Sequence, residues 1–210
     1  MVGLNSQVLH IQLQPNQKVL AEPGTFMHAQ SGVTPTTKCY WSCARYASGE
    51  SQFVTRFRNT SKESQIIGLA PMQPGSKIVP VDLGEELIGG KLSCLKGAWF
   101  ATLGKARLTF SADCRLATCC FGGQGLRQQV IKGKGTVFLV GGGTVLRREM
   151  MQHERVVLDD HALLAWSGTV SFAARVGCDQ LGCGASLCGT CCRNGEVTKL
   201  NMGKSTQARK

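Results

Sequence analysis

Cysteine is the residue type in this chain whose spacing comes closest to a recognisable site for chemistry. Residues 177–192 read GCDQLGCGASLCGTCC. Cys183, Cys188 and Cys191 have the C-x4-C-x2-C spacing with which plant-type ferredoxins hold an iron–sulfur cluster, and the last two also form the C-x2-C half of a zinc site. Cys178 or Cys192 would supply a fourth thiolate. Spacing alone therefore favours a thiol-ligated metal site.

The elements that must position these cysteines occur three times along the chain. Three segments each open with an alternating strand pattern, a polar turn and a second strand; they begin VLHIQLQPNQ, IVPVDLGEEL and VLRREMMQHE. A short apolar run then ends in Ala, with Gly three residues later. The pairs are Ala29 and Gly32, Ala101 and Gly104, and Ala165 and Gly168. A strand of period two, a glycine-rich loop and a closing hairpin follow. The pattern predicts an all-β fold of three internal repeats.

The repeats predict one domain, residues 8–204, divided into residues 8–70, 78–142 and 145–204, with a basic tail at 205–210. Three units of this length can close around a pseudo-threefold axis, which would protect their sheet edges. The predicted closing hairpins are GESQFVTRFRNTSKESQIIGLA and GQGLRQQVIKGKGTVFLVGGG. The third, NGEVTKLNMGKSTQARK, has no apolar strand after Leu200, so we expect it to be short or frayed.

The repeat places every cysteine but Cys94 in the loop before a closing hairpin. The first loop has Cys39 and Cys43, the second has Cys114, Cys119 and Cys120, and the third is the stretch at 177–192. Cysteine can serve in such loops as a small hydrophobe. We therefore expect no metal ligands and no cofactor, and instead apolar loops that contact a membrane surface or a protein partner. A zinc or iron–sulfur protein is the alternative.

Other residue types give no catalytic constellation. The histidines are scattered, with no i,i+4 pair, and His28 on an apolar strand is predicted to be structural; they are His10, His28, His153 and His161. The adjacent acidic pairs, Glu85 with Glu86 and Asp159 with Asp160, fall at expected turns, and neighbouring strand residues point to opposite faces. The sequence has no G-x-S-x-G or phosphate-loop motif. A non-enzymatic protein is predicted.

Charge allows a basic RNA-binding protein as a second alternative. The net charge is +11, from 24 Lys and Arg against 13 Asp and Glu, which permits binding to nucleic acid or anionic lipid. Eight of the basic residues gather in two groups: Lys132, Lys134, Arg147 and Arg148, and Lys199, Lys204, Arg209 and Lys210. Proteins that bind single-stranded nucleic acid also need exposed aromatic rings on which the bases stack. The alternation of apolar and polar residues instead places Phe138 in the core. Nucleic acid is therefore not the expected partner.

The start of the chain, MVGLNSQ, resembles no secretory leader, and no apolar run approaches the roughly 20 residues that span a bilayer. A cytoplasmic protein with reduced thiols is expected.

Three stretches, LQPNQKVLAEPG, GLAPMQPGSKIVPVDL and GTVFL, resemble motifs of the family named for altered inheritance of mitochondria. The most specific one has Pro71, Pro74, Gly75, Pro80 and Asp82 in order, and the resemblance covers residues 8–200. It implies a fold classed with the tryptophan RNA-binding attenuation protein, with β-sandwich-like, double-stranded β-helix units that assemble into homo-oligomers. It also implies a link to mitochondrial organisation, hence a mitochondrial location as an alternative. The expected function is a non-enzymatic oligomeric scaffold or interaction protein.

Overall fold

Alternation of apolar and polar side chains forms the strands of this protein. In a computed structural model of the chain, β1 (Leu9–Leu13) buries its odd residues and exposes His10 and Gln12, as a strand with one buried face does. The structure describes residues 7–39, 51, 53–85, 88–112, 127–151, 153–158, 162–174 and 198–202. Over these ranges the regular secondary structure is β, without an α-helix, and every strand pair is antiparallel. The all-β prediction is confirmed.

The strands form four sheets. Sheet I has the order β1, β6 (Gln65–Leu69), β3 (Phe26–Ala29). Sheet II has the order β4 (Val33–Cys39), β5 (Phe53–Asn59), β2 (Lys18–Ala21), β9 (Trp99–Gly104), β12 (Gly135–Gly142), β7 (Ser76–Asp82). Sheet III has the order β10 (Arg107–Ala112), β11 (Arg127–Lys132), β8 (Lys91–Leu95), β14 (Ala165–Ser167). Sheet IV has the order β13 (Arg155–Leu158), β16 (Thr198–Met202), β15 (Val170–Ala174).

Sheet II lies between sheets I and III because both of its faces are apolar. One face contributes Phe57 and Ala101 to a core shared with Ile67 of sheet I. The other contributes Val54 and Leu139 to a second core, shared with residues of sheet III such as Leu92 and Ile131. Burial on both faces stabilises a sheet through the hydrophobic effect on each side.

The two predicted closing hairpins are wrong, since each joins strands of different sheets. β5 pairs with β4 and β2 in sheet II, whereas β6 pairs with β1 and β3 in sheet I. In the same way β11 belongs to sheet III and β12 to sheet II. Period-two alternation and a polar turn identify two consecutive strands, but they carry no information about which strands pair. The strands that do form hairpins are β4 with β5, β10 with β11, and β15 with β16.

The connection between β11 and β12 needs glycine where the chain crosses between sheets. Gly133 and Gly135 have φ of +126° and +130°, a region that side chains disfavour. A Cβ on Gly135 would lie 2.3 Å from the carbonyl oxygen of Leu103. Residues 203–210, with the basic tail at 205–210, lie outside the described residues, so the expectation that the third hairpin is short or frayed stays a prediction.

Candidate functional site

The two cysteines that the structure describes differ in exposure. Cys39 is the last residue of β4 and is exposed, and its partner across the hairpin is Phe53, which is 51 % exposed. Cys94 on β8 is fully buried, and its thiol approaches Gln129 Oε1 at 3.8 Å. Cys94 is therefore a core residue, whereas Cys39 and Phe53 place an apolar pair at the surface where the first cysteine-rich connection begins.

Each cysteine-rich segment links two strands that pair with each other. The links are residues 40–52 between β4 and β5, 113–126 between β10 and β11, and 175–197 between β15 and β16. The remaining cysteines fall outside the described residues, so their predicted behaviour stays a prediction: Cys43, Cys114, Cys119, Cys120, Cys178, Cys183, Cys188, Cys191 and Cys192. Within the described ranges, no group of three or more His, Cys, Asp or Glu side chains could hold a metal ion.

Two arginines of the predicted basic cluster are paired with carboxylates. Arg147 Nη2 lies 2.6 Å from Glu85 Oε2, and Arg148 Nη2 lies 2.5 Å from Glu154 Oε1. The hydrogen bond to Glu85, with its charge, raises the pKa of Arg147. The pKa of Glu154 is lowered, first by the hydrogen bond that its carboxylate accepts from the Met151 backbone N–H, then by Arg148. These pairs reduce the positive charge that the cluster presents to an anionic partner.

The aromatic residue that follows the two lysines of that cluster in the sequence, Phe138, is not an exposed platform for a base. Phe138 on β12 is half-buried and packs against the core between sheets I and II, as alternation predicts. Lys132 and Lys134 are both exposed. Phe138 therefore does not provide an exposed ring on which a base could stack.

Two histidines that the sequence left scattered are neighbours in space. His10 on β1 and His28 on β3 both pair with Gly68 on the central strand of sheet I, and their ring centroids are 5.1 Å apart. Both side chains are exposed. Sequence patterns could not reveal this pair, because the two histidines are joined by β6, a strand that lies far from both in the sequence. His153 is exposed with φ of +66°, and His161, Glu86, Asp159 and Asp160 lie outside the described residues.

Large apolar side chains are exposed on sheet I and beyond it. Phe26 and Met27 on β3 are 52 % and 58 % exposed, and Ile66 on β6 is 43 % exposed. Met72 and Met151 are also exposed. In the part of the chain that the structure describes, no helix has the length and hydropathy to cross a membrane.

Comparison with known proteins identifies the family. The family model described as mitochondrial biogenesis AIM24 matches residues 1–200. A crystal structure of a Streptococcus pyogenes protein superposes with a TM-score of 0.71 at 20 % identity, covering 97 % of this chain and 88 % of that one, so the two share a fold. No curated protein matches the chain. The match over nearly the whole length shows that this chain belongs to the mitochondrial biogenesis AIM24 family.

Proposed function

We propose that this protein is a non-enzymatic scaffold, built from three related β units around a pseudo-threefold axis, that self-associates and attaches to a membrane surface. The cysteine-rich hairpin ends are the proposed membrane contacts. The family's name supports a mitochondrial membrane as the site of action, with the cytoplasm as the compartment from which it binds. The non-enzymatic character rests on a sequence without a recognisable catalytic motif.

Strand order supports three related units. The first unit contributes β1–β6–β3 and β4–β5–β2, and the second contributes β7–β12–β9 and β10–β11–β8. Numbered within each unit, both give the orders 1–6–3 and 4–5–2. Sheet IV, β15–β16–β13, follows the order 4–5–2 once more. One topology in successive parts of one chain is the signature of a repeated unit.

The contacts between units support a closed arrangement. The third strand of the second unit, β9, pairs with β2 of the first unit through Ala21 and Ala101. The third strand of the third unit, β14, pairs with β8 of the second unit through Cys94 and Ala165. A closed ring requires the same contact between β3 and β13, which would convert sheets I and IV into one sheet of six strands like sheet II.

The observation that carries the membrane proposal is the exposed pair Cys39 and Phe53. An aromatic ring and a thiol stand opposite each other at the end of a hairpin, where they can enter the interface between headgroups and acyl chains. Threefold closure would bring the equivalent connections, each of which contains at least one cysteine, to the same end of the molecule. A net charge of +11 favours a surface of anionic lipid, with on the order of 1 kcal/mol from each basic residue near it.

Liposome flotation tests the proposal. The protein is mixed with vesicles of phosphatidylcholine alone or with an added fraction of cardiolipin, and we expect flotation with the anionic vesicles. Phe53→Ser should reduce the floated fraction severalfold, whereas Met72→Ser, at a side chain 70 % exposed elsewhere, should leave it unchanged. Equal flotation of both variants, or none of the wild-type protein at low salt, would refute membrane attachment.

Self-association is tested separately. Met27 on β3 is 58 % exposed, and an exposed apolar side chain can pack against a second copy while the edge of β3 remains available for β13. We expect light scattering after gel filtration to give a multiple of 22.5 kDa for the wild-type protein and a lower mass for Met27→Asp. Met151→Asp is the control. A monomeric wild-type protein would remove self-association from the proposal while leaving attachment to be judged by flotation.

A further inference from the structure

Three consecutive strands of sheet I place two histidines on either side of a glycine. His10 of β1 and His28 of β3 are both register partners of Gly68 on β6. Glycine in a strand interior weakens the strand, and it often marks a place where another group approaches closely. Here the approaching group is an imidazole ring.

The ring of His28 occupies the space that a side chain at position 68 would fill. A Cβ on Gly68 would lie 2.2 Å from Cε1 of His28 and within 3 Å of both of its ring nitrogens. The ring of His10 meets that of His28 at an interplanar angle of 79°. The absence of a side chain at Gly68 thus permits the two imidazoles to converge from strands that are not neighbours.

In the second unit, the three register partners equivalent to His10, Gly68 and His28 differ in side-chain size in the opposite way. There Phe138 of β12 stands between Pro80 of β7 and Ala101 of β9. A large side chain lies on the middle strand and small ones flank it, so that row offers no ligands. The His–Gly–His row is therefore a feature of the first unit and does not follow from the fold that both units share.

We propose that His10 and His28 form a two-histidine site for a late first-row divalent cation such as Zn²⁺, with water in the remaining coordination positions. Imidazole nitrogen suits zinc, copper and nickel. Two nitrogens on a tetrahedral Zn²⁺ lie roughly 3.3 Å apart, given Zn–N bonds of about 2.0–2.1 Å. Rings with centroids 5.1 Å apart reach that separation by small rotations about their side-chain torsions. Both rings are exposed, so a hydrated cation has access.

Among the described residues, no other interaction competes with a metal ion for the two imidazole rings. Neither ring makes a hydrogen bond or an ion pair there, and the ring-to-ring contact is the interaction that the structure shows for them. An imidazole with ring nitrogens that bond no protein atom can give a lone pair to a metal without breaking an existing contact. The site is independent of the cysteine-rich connections and of membrane attachment.

Zinc titration with imidazole-resolved NMR tests the site while distinguishing it from the thiols. We expect the imidazole signals of His10 and His28 in the full-length protein to shift together, with one dissociation constant. His28→Ala should weaken the affinity read at His10 by about tenfold or more, because the second ligand's effective concentration is lost. His153→Ala removes an exposed histidine elsewhere and should change neither signal's response.

Gly68→Ala tests the geometry with both ligands retained. The added Cβ must displace the His28 ring, so the shared affinity should fall about as far as in His28→Ala, with the backbone amide spectrum reporting that the sheet is intact. Two outcomes would overturn the site: His10 and His28 signals that do not respond once the thiols are saturated with Zn²⁺, or a response at His10 that is unchanged in His28→Ala.

Discussion

Asn59, at the end of β5, is a buried side chain that makes four hydrogen bonds. Its Nδ2 donates to the carbonyl oxygens of Leu13 at 2.8 Å and Glu63 at 2.7 Å. Its Oδ1 accepts from the backbone N–H of Ser61 at 2.9 Å and from the Ser61 hydroxyl at 2.8 Å. The side chain is fully buried and fixes the turn through which the chain leaves sheet II for sheet I. Sequence patterns assign Asn to this turn without revealing that it is in the core.

We expect Asn59→Ala to lower the free energy of unfolding by about 2–4 kcal/mol, because buried carbonyls lose their donors and are not reached by water. Urea denaturation followed by circular dichroism measures the change. Thr34→Ala, which removes an exposed hydroxyl that lies 3.2 Å from the Thr60 hydroxyl, should cost less than about 0.5 kcal/mol. Similar losses in the two variants would contradict a structural role specific to Asn59.

Glu154 should make the stability of the fold depend on pH. The folded-state pKa of Glu154 is lowered by the Met151 N–H and Arg148. A carboxyl group with a depressed folded pKa stabilises the fold above its unfolded pKa, and this contribution is lost as pH falls through the folded pKa. The stability difference between the wild-type protein and Glu154→Gln should therefore be largest near neutral pH and shrink towards pH 3. Denaturant midpoints at several pH values measure it, and a constant difference would contradict the assignment.

At the scale of elements, the sequence predicts strands well and their partners poorly. Alternation in LHIQL and the apolar runs around Ala101 and Ala165 place strands where the structure has them. The β5–β6 and β11–β12 hairpins are wrong because pairing depends on which apolar faces meet across the core. The histidine pair was missed for the same reason: His10, Gly68 and His28 are adjacent only through the pairing of β6 with both neighbours.

The crossing from β11 to β12 should depend on glycine at position 135. Gly135 has φ of +130° and a Cβ there would meet the Leu103 carbonyl oxygen, so Gly135→Ala should cost about 2–4 kcal/mol through backbone strain and displacement of β9. Gly142, at the other end of β12, has no atom within 4 Å of a built Cβ. Gly142→Ala should be nearly neutral. Thermal unfolding of both variants measures the difference, and equal melting temperatures would contradict a requirement for glycine at the β11–β12 crossing.

At the scale of the whole molecule, sheet II joins strands from two separate stretches of the chain into one sheet. Its β4–β5–β2 half comes from residues 18–59 and its β9–β12–β7 half from residues 76–142, and they meet at β2 and β9. Ala101 at this junction is fully buried in the core that also contains Ile67 and Leu69 of sheet I. Parts that share one sheet should behave mechanically as one body, which is what the proposed scaffold would need in order to hold its hairpin ends in fixed relation.

Hydrogen exchange tests this coupling. Because β2 and β9 share both a ladder and a core, peptides from β1–β6 and from β7–β12 should lose protection together as denaturant is raised, in one cooperative unit. Ala101→Asp places a carboxylate in that core, and it should speed exchange in β6 as well as in β9 and β12. Thr109→Asp, on the exposed side of β10, should leave β6 unaffected. If Ala101→Asp opened only β7–β12 while β1 and β6 kept their protection, the two halves of sheet II would be separate folding units, and the shared sheet could not transmit position from one hairpin end to the next.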